Sequence, residues 1–255
     1  MSHSRVSILG VGISAINMGQ ALAAFEDWIG RKEQHYVCVT PAHSVMDGYR
    51  DAGLRSIFNH SGLTTPDGMA IVWLLQLHGF RHVGRVYGPD LMHEVCRLSV
   101  DKGWRHYLYG GEPGVAECLK SLLETRYDGI RVVGAYSPPF RALSEEEDRE
   151  VVASIDAAQA DIIWVGIGSP KQERWMYEHM GKTGASVLVG VGAAFDFLTA
   201  RKPQAPRWMQ RAGLEWLFRL WSEPGRLWPR YSQYPLFVLL AIAQLVGLRR
   251  YPLGE

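Results

Sequence analysis

The sequence predicts an α/β protein, a mostly parallel sheet with helices on both faces, followed by a basic helical C-terminal appendage. Three observations lead there. Short apolar runs alternate with amphipathic stretches of helical length, three of the runs end in paired glycines, and positive charge gathers in the last fifth of the chain. At 255 residues, with 47% hydrophobic and 21% charged residues, the chain fits one such domain with a small addition. A domain of this size buries enough surface to need no disulfide or metal staple.

The runs Tyr36–Thr40, Arg85–Tyr87, Arg105–Tyr109, Ile130–Ala135, Ile162–Ile167 and Ser186–Val191 read as short buried strands. Between them, Ala42–Ala52, Gly68–His78, Asp90–Lys102, Gly114–Tyr127, Glu145–Ala158 and Pro170–Met180 read as helices. Ser144-Glu-Glu-Glu147 has the form of a capping box, in which hydroxyl and carboxylate satisfy the free amides of a helix start. Ser169-Pro170-Lys171-Gln172 reads as a second, with proline at the first helical position. The alternation defines a Rossmann-like body over residues 1–200, with residues 201–255 as a basic, membrane-proximal appendage.

Cys38, Cys96 and Cys118 are scattered and odd in number, without the spacing of a zinc site, which favours a reducing compartment. Met1 to Gly10 lacks the basic start and long apolar run of a signal peptide, so the expected location is cytoplasmic. A net charge of +1 gives no electrostatic footprint for nucleic acid. The distribution is more telling. From Arg201 onward nine Lys/Arg face three Asp/Glu, net +6, which leaves −5 on the preceding residues. Such a segment calls for an anionic partner or surface.

Gly110-Gly111, Gly166-Ile-Gly168 and Gly190-Val-Gly192 close three predicted strands. Glycine there lets a ligand approach the backbone at the edge where open α/β sheets bind ligands, and helix N-termini favour phosphate. Tight strand-to-helix turns are the structural alternative. Neither GxGxxG nor GxxxxGK[ST] occurs, which argues against a dinucleotide or P-loop enzyme.

Asp67, in Pro66-Asp67-Gly68, is free on a loop to act as a general base, or to cap the helix behind it. Arg85 suits a bidentate grip on diphosphate, and Gln172 suits either phosphate or a helix cap. Asp196, between apolar neighbours, needs backbone donors or a polar ligand. There is no DxD pair for a metal–diphosphate clamp, and no GxSxG, HExxH or kinase set. Cationic side chains must then stabilise a departing diphosphate, and Arg207, Arg211, Arg219, Arg226 and Arg230 are available.

Thr65-Pro-Asp-Gly68, Tyr109-Gly-Gly111, Val165-Gly-Ile-Gly-Ser-Pro-Lys-Gln-Glu173, Val189-Gly-Val-Gly192 with Phe195-Asp196, Arg201-Lys-Pro-Gln-Ala-Pro-Arg-Trp208 and Gly213-Leu-Glu-Trp-Leu-Phe-Arg219 through Glu223-Pro-Gly-Arg226 occur in that order. Together they resemble the WecG/TagA/CpsF family, glycosyltransferase family 26, over about residues 5–230. The resemblance implies an inverting transferase without metal or other cofactor. Its donor would be a UDP-sugar of the N-acetylmannosamine, uronate or glucose type. Its acceptor would be a sugar on a polyprenyl diphosphate, in cell-surface polysaccharide synthesis. It also implies Asp67 as catalytic base, Arg85, Gln172 and Asp196 as donor-pocket residues, and Arg219 as an arginine that closes the site. By the same resemblance, Arg226 and Arg230 are expected in the family's basic appendage, near the lipid diphosphate. Where many relatives carry asparagine, this chain reads Thr40-Pro41-Ala42-His43, which makes Thr40 a candidate contact, while a lone His43 reads as structural.

Pro235 to Leu248 is apolar on nearly every face and too short to span a bilayer, which needs roughly 20 residues. It suits the membrane interface, with Arg249 and Arg250 reaching anionic headgroups, or burial in a homo-oligomer contact. The lipid-linked acceptor favours peripheral association with the inner face of the cell membrane. Two other classes compete. A nucleotide-dependent oxidoreductase or epimerase would want the missing GxGxxG. A non-catalytic membrane scaffold would keep the tail but has no need of Asp67 and Arg219 together.

Overall fold

The computed structural model describes residues 3–253; Met1, Ser2, Gly254 and Glu255, at the ends of the predicted body and appendage, lie outside the described residues. The chain begins with β1 (Arg5–Ile8), β2 (Val11–Ser14), α1 (Met18–Arg31), β3 (His35–Thr40), α2 (Ala42–Arg50), α3 (Ala52–His60), β4 (Leu63–Pro66) and α4 (Met69–Leu77). It continues through α5 (Gly88–Lys102), β5 (Arg105–Gly110), α6 (Val115–Arg126), β6 (Arg131–Tyr136), α7 (Glu145–Ala157), β7 (Ile162–Gly166), α8 (Lys171–His179), β8 (Val187–Gly190) and α9 (Ala194–Leu198). The C-terminal part is helical: α10 (Arg207–Arg211), α11 (Glu215–Ser222), α12 (Pro224–Tyr231) and α13 (Tyr234–Leu245). Six strands form a mostly parallel sheet in the order β4-β3-β8-β7-β5-β6, as an α/β body requires.

By compactness the chain divides into two units, one of residues 1–21, 38–87 and 203–255, the other of residues 22–37 and 88–202. The C-terminal helices fall in the same compact unit as residues 38–87.

In the unit of residues 22–37 and 88–202, β5 pairs in parallel with β6 and β7, and β7 with β8. The runs Ile162–Val165 and Val187–Val189 are fully buried, which is why they read so clearly as apolar strands. Buried Trp164 donates to His106 Nδ1 at 3.0 Å, and burial pushes that histidine down to about 4. Ser144 and Glu147 complete the expected capping box at α7. The second expected box does not form. Pro170 sits at the N-cap of α8 rather than inside it, with no side-chain cap bond, and Gln172 turns to the β8 exit instead.

In the unit of residues 1–21, 38–87 and 203–255, β1 and β2 form an antiparallel hairpin, reversing at Leu9 and Gly10, both with positive φ. Gln244 of α13 straps onto this hairpin, donating to Ser7 O at 2.6 Å and accepting from Leu9 N at 2.9 Å. Trp216, Tyr231 and Tyr234 form one aromatic cluster, with ring centroids 5.0 to 6.2 Å apart. The helix expected over Ala42–Ala52 ends at Arg50, because Asp51 turns out and caps α3 by accepting from Leu54 N at 2.9 Å. Arg85–Tyr87 is not a strand. The segment is extended but makes isolated bonds in place of a ladder: Val86 N to Pro66 O at 2.9 Å, and Thr65 Oγ1 to Val86 O at 3.3 Å.

Candidate active site

A pocket in the first of these units collects Asp67, Arg85, Glu215, Arg219, His43 and the aromatic cluster. Strand β4 delivers Asp67. Its N–H donates to Thr40 O at 3.3 Å, and Gly68 follows with φ +85, a left-handed backbone that suits glycine. Gly68, not Asp67, is the N-cap of α4, so the reading of Asp67 as a helix cap does not hold. The carboxylate points elsewhere.

The two bonds that hold Val86 to β4 place Arg85 beside Asp67. Arg85 Nε and Nη2 donate to Asp67 Oδ1 at 3.1 and 3.0 Å, and Nη2 also donates to Glu215 Oε2 at 2.5 Å. The guanidinium carbon lies 4.1 Å from the centre of the Tyr87 ring, a cation–π contact. Tyr87 is fixed in turn by Gln204, whose amide donates to its hydroxyl at 3.1 Å. Each side chain of this triad is 12 to 15% exposed. Burial opposes the charge on Arg85, but Asp67 and Glu215 outweigh it and hold the guanidinium above its ordinary value. Burial raises Asp67 above the usual aspartate value; Arg85 counters this, and the charge of Glu215 adds to it. A carboxylate both anchored and raised is suited to taking a proton.

Glu215 was not among the residues singled out in the sequence. The signal was present: Glu215 and Arg219 are four apart in Gly213-Leu-Glu-Trp-Leu-Phe-Arg219, hence on one face of α11. Arg219 lines the pocket with it, and burial opposes its charge while Tyr231 and Glu215 raise it. Arg230 lies close enough for its charge to act on both Tyr231 and His43. Arg226 is different, engaged with Glu223 at 2.5 and 2.7 Å on an exposed turn. Thr40 is fully buried, its hydroxyl donating to Cys38 O at 3.0 Å, so it supports the Asp67 loop through its carbonyl.

The other predicted residues lie in the second unit, at the strand exits. Gly110 approaches Gly166 so closely that a Cβ would fall 2.5 Å from its carbonyl carbon, and Gly111 N donates to Gly166 O at 3.1 Å. Gly168, also at positive φ, leads into α8. The Gln172 amide accepts from Gly192 N and donates to Glu173, both at 2.9 Å, tying α8 to the β8 turn. Asp196 pairs with Lys202 at 2.7 Å. Among the described residues no group of three or more His, Cys, Asp or Glu side chains is placed to hold a metal ion.

An α/β body with a buried carboxylate among arginines defines an enzyme that can activate a hydroxyl and stabilise an anionic leaving group. The sequence model described as Glycosyl transferase WecG/TagA/CpsF family matches residues 6–251, and the chain belongs to that family of glycosyltransferases. A relative from Bacillus subtilis (strain 168), the N-acetylglucosaminyldiphosphoundecaprenol N-acetyl-beta-D-mannosaminyltransferase, is 28% identical over 233 residues. That similarity covers 88% of this chain and 87% of the relative.

Proposed function

We propose that this glycosyltransferase moves a sugar from a UDP-sugar to a sugar carried on a polyprenyl diphosphate, with inversion and without a metal, in the assembly of a cell-surface polysaccharide. The observation that carries the reading is the attachment of Asp67 to Arg85 through one oxygen, Oδ1. Among the described residues no hydrogen bond falls on Oδ2, which is left to accept the acceptor's hydroxyl proton. The deprotonating oxygen attacks the anomeric carbon, the bond to the diphosphate breaks, and the configuration inverts because one displacement occurs. Arg219 and Arg230 offset the charge that develops on the departing diphosphate. Arg85 is committed to two carboxylates, so its part is to orient the base. Within the unit of residues 22–37 and 88–202, the glycine edge at Gly110, Gly111 and Gly168, with Gln172 and Asp196, suits binding of a nucleotide.

The acceptor class comes from the Bacillus relative, whose name specifies a lipid diphosphate, and from the tail of this chain. No helix among the described residues is long and apolar enough to cross a membrane. Helix α13 buries Phe237, Leu240 and Ala241 but exposes Leu239 and Ile242, and Val246 at its C-cap is exposed too, with Arg249 and Arg250 beyond. Exposed apolar side chains beside arginines suit the inner membrane surface. The test is a donor screen: purified protein with a prenyl-diphosphate-linked sugar and UDP-N-acetylmannosamine, its uronate or UDP-glucose. Consumption of one donor with an elongated lipid product is expected. No transfer from any nucleotide sugar would overturn the reading.

A further inference from the structure

His43 lines the same pocket at the start of α2, 7% exposed, yet its Nδ1 is sealed from solvent with no hydrogen-bond partner among the described residues. A buried polar atom without a partner is costly, and a residue kept only for packing would be better apolar. With Nδ1 closed off, Nε2 is the nitrogen that a ligand in the pocket can reach. The groups facing the ring come from two other helices. Tyr231 of α12 meets it edge-on at 6.4 Å, Arg219 of α11 shares the pocket wall, and Arg230 precedes Tyr231.

We propose that His43 is a third diphosphate-binding residue beside Arg219 and Arg230, donating its Nε2–H to a phosphate oxygen. This rests on the reading of the pocket given under Proposed function. The electrostatics agree with it. Burial first, then Arg230 and Arg219, hold the imidazole well below its usual value, which favours the neutral ring. A neutral imidazole still carries one N–H, which completes a cationic pair without adding a third like charge. The diphosphate could belong to the departing nucleotide or to the lipid-linked acceptor, and each would meet the same donor.

The test compares His43→Gln, His43→Asn and His43→Leu in the full chain. Glutamine places an N–H near the position of Nε2, whereas the shorter asparagine ends near Nδ1. Calorimetric titration with UDP, and separately with a short-chain prenyl-diphosphate sugar, reads which diphosphate is held. The Leu and Asn variants should bind one of the two more weakly by roughly tenfold, the scale of one hydrogen bond to a charged group. The Gln variant should stay within about threefold of wild type, and the Leu variant should melt no lower than wild type because the orphan Nδ1 is gone. Equal binding of both ligands by His43→Leu overturns the assignment, and so does an affinity loss that tracks a lower melting temperature and is not rescued by Gln. If wild type itself binds neither diphosphate, the proposed function fails and the histidine's role falls with it; variants that match wild type remove only the histidine.

Discussion

Arg85 places both Nε and Nη2 on a single oxygen of Asp67, Oδ1, at 3.1 and 3.0 Å. A side-on pairing would engage both carboxylate oxygens. The arrangement found anchors the carboxylate at one end and, among the described residues, leaves Oδ2 without a hydrogen bond in a residue that lines the pocket. Glu215, 2.5 Å from the same guanidinium, keeps Arg85 from neutralising Asp67 alone. The result is a carboxylate held in place and only partly neutralised.

Asp67→Asn should therefore keep the pairing geometry and donor affinity while removing proton acceptance. Turnover should fall about 100-fold or more, the usual scale of a general base, with UDP affinity within a few-fold of wild type. Steady-state kinetics and calorimetry on the same preparation check both halves. A near-normal rate would leave Asp67 as an anchor for Arg85 only.

The second carboxylate gives a pH signature. Asp67 must be ionised to act, so the rate falls as pH drops through its value, and burial together with Glu215 sets that limb above the ordinary aspartate range. Glu215→Gln removes a like charge and leaves Arg85 to Asp67 alone. Both changes favour the ionised base, so the acid limb of kcat/KM should move to lower pH. A limb unmoved by the substitution would show that Glu215 does not reach the base electrostatically.

What could be read from the sequence followed burial pattern and local spacing. Strands β7 and β8 are continuous apolar runs, and β5 shows its buried Tyr-Leu-Tyr centre ahead of a glycine exit, so all three are legible as strands. Strand β4 is not, because Leu63-Thr-Thr-Pro66 looks polar. Both threonines are fully buried and satisfied locally, Thr64 by Phe58 O and Ser61 Oγ, Thr65 by Val86 O. Arg85–Tyr87 looked like a strand because it is extended and partly buried; only its pairing denies it. Asp67, Arg85 and Arg219 could be chosen by residue type beside glycine turns and in a basic segment. Glu215 could not be linked to Arg85 in this way, because 130 positions separate them and only the tertiary fold closes that gap. A lone His43 reads as structural, because nothing in a sequence reports an unpartnered ring nitrogen.

Charge compensation at the leaving group leads to a third expectation. The sequence has no DxD pair, and Arg219 and Arg230 bring positive charge to the pocket. Turnover in excess EDTA should equal turnover in buffer alone. Loss of activity restored by Mg²⁺ or Mn²⁺ would overturn the metal-free mechanism.

The tail tests the membrane reading, and its packing decides how. Deleting residues from Pro235 onward would remove Phe237, Leu240 and Ala241 from the core and the Gln244 strap from the β1–β2 hairpin. Lost vesicle binding would then be inseparable from lost folding. Leu239, Ile242 and Val246 lie three and four residues apart and are 66, 51 and 62% exposed, so they form an outward stripe whose substitution spares the packed side. The triple change Leu239→Glu, Ile242→Glu, Val246→Glu should abolish sedimentation with anionic vesicles and leave the melting temperature and UDP affinity near wild type. Arg249→Ala with Arg250→Ala should weaken vesicle binding less, and the loss should shrink as salt is raised. Turnover on a soluble short-chain acceptor should survive both sets, because Asp67, Arg85, Glu215 and Arg219 are untouched. If the triple variant still sediments like wild type, α13 is not the anchor. If it instead converts an oligomer to a monomer in light scattering, the stripe is an interface between copies of the chain.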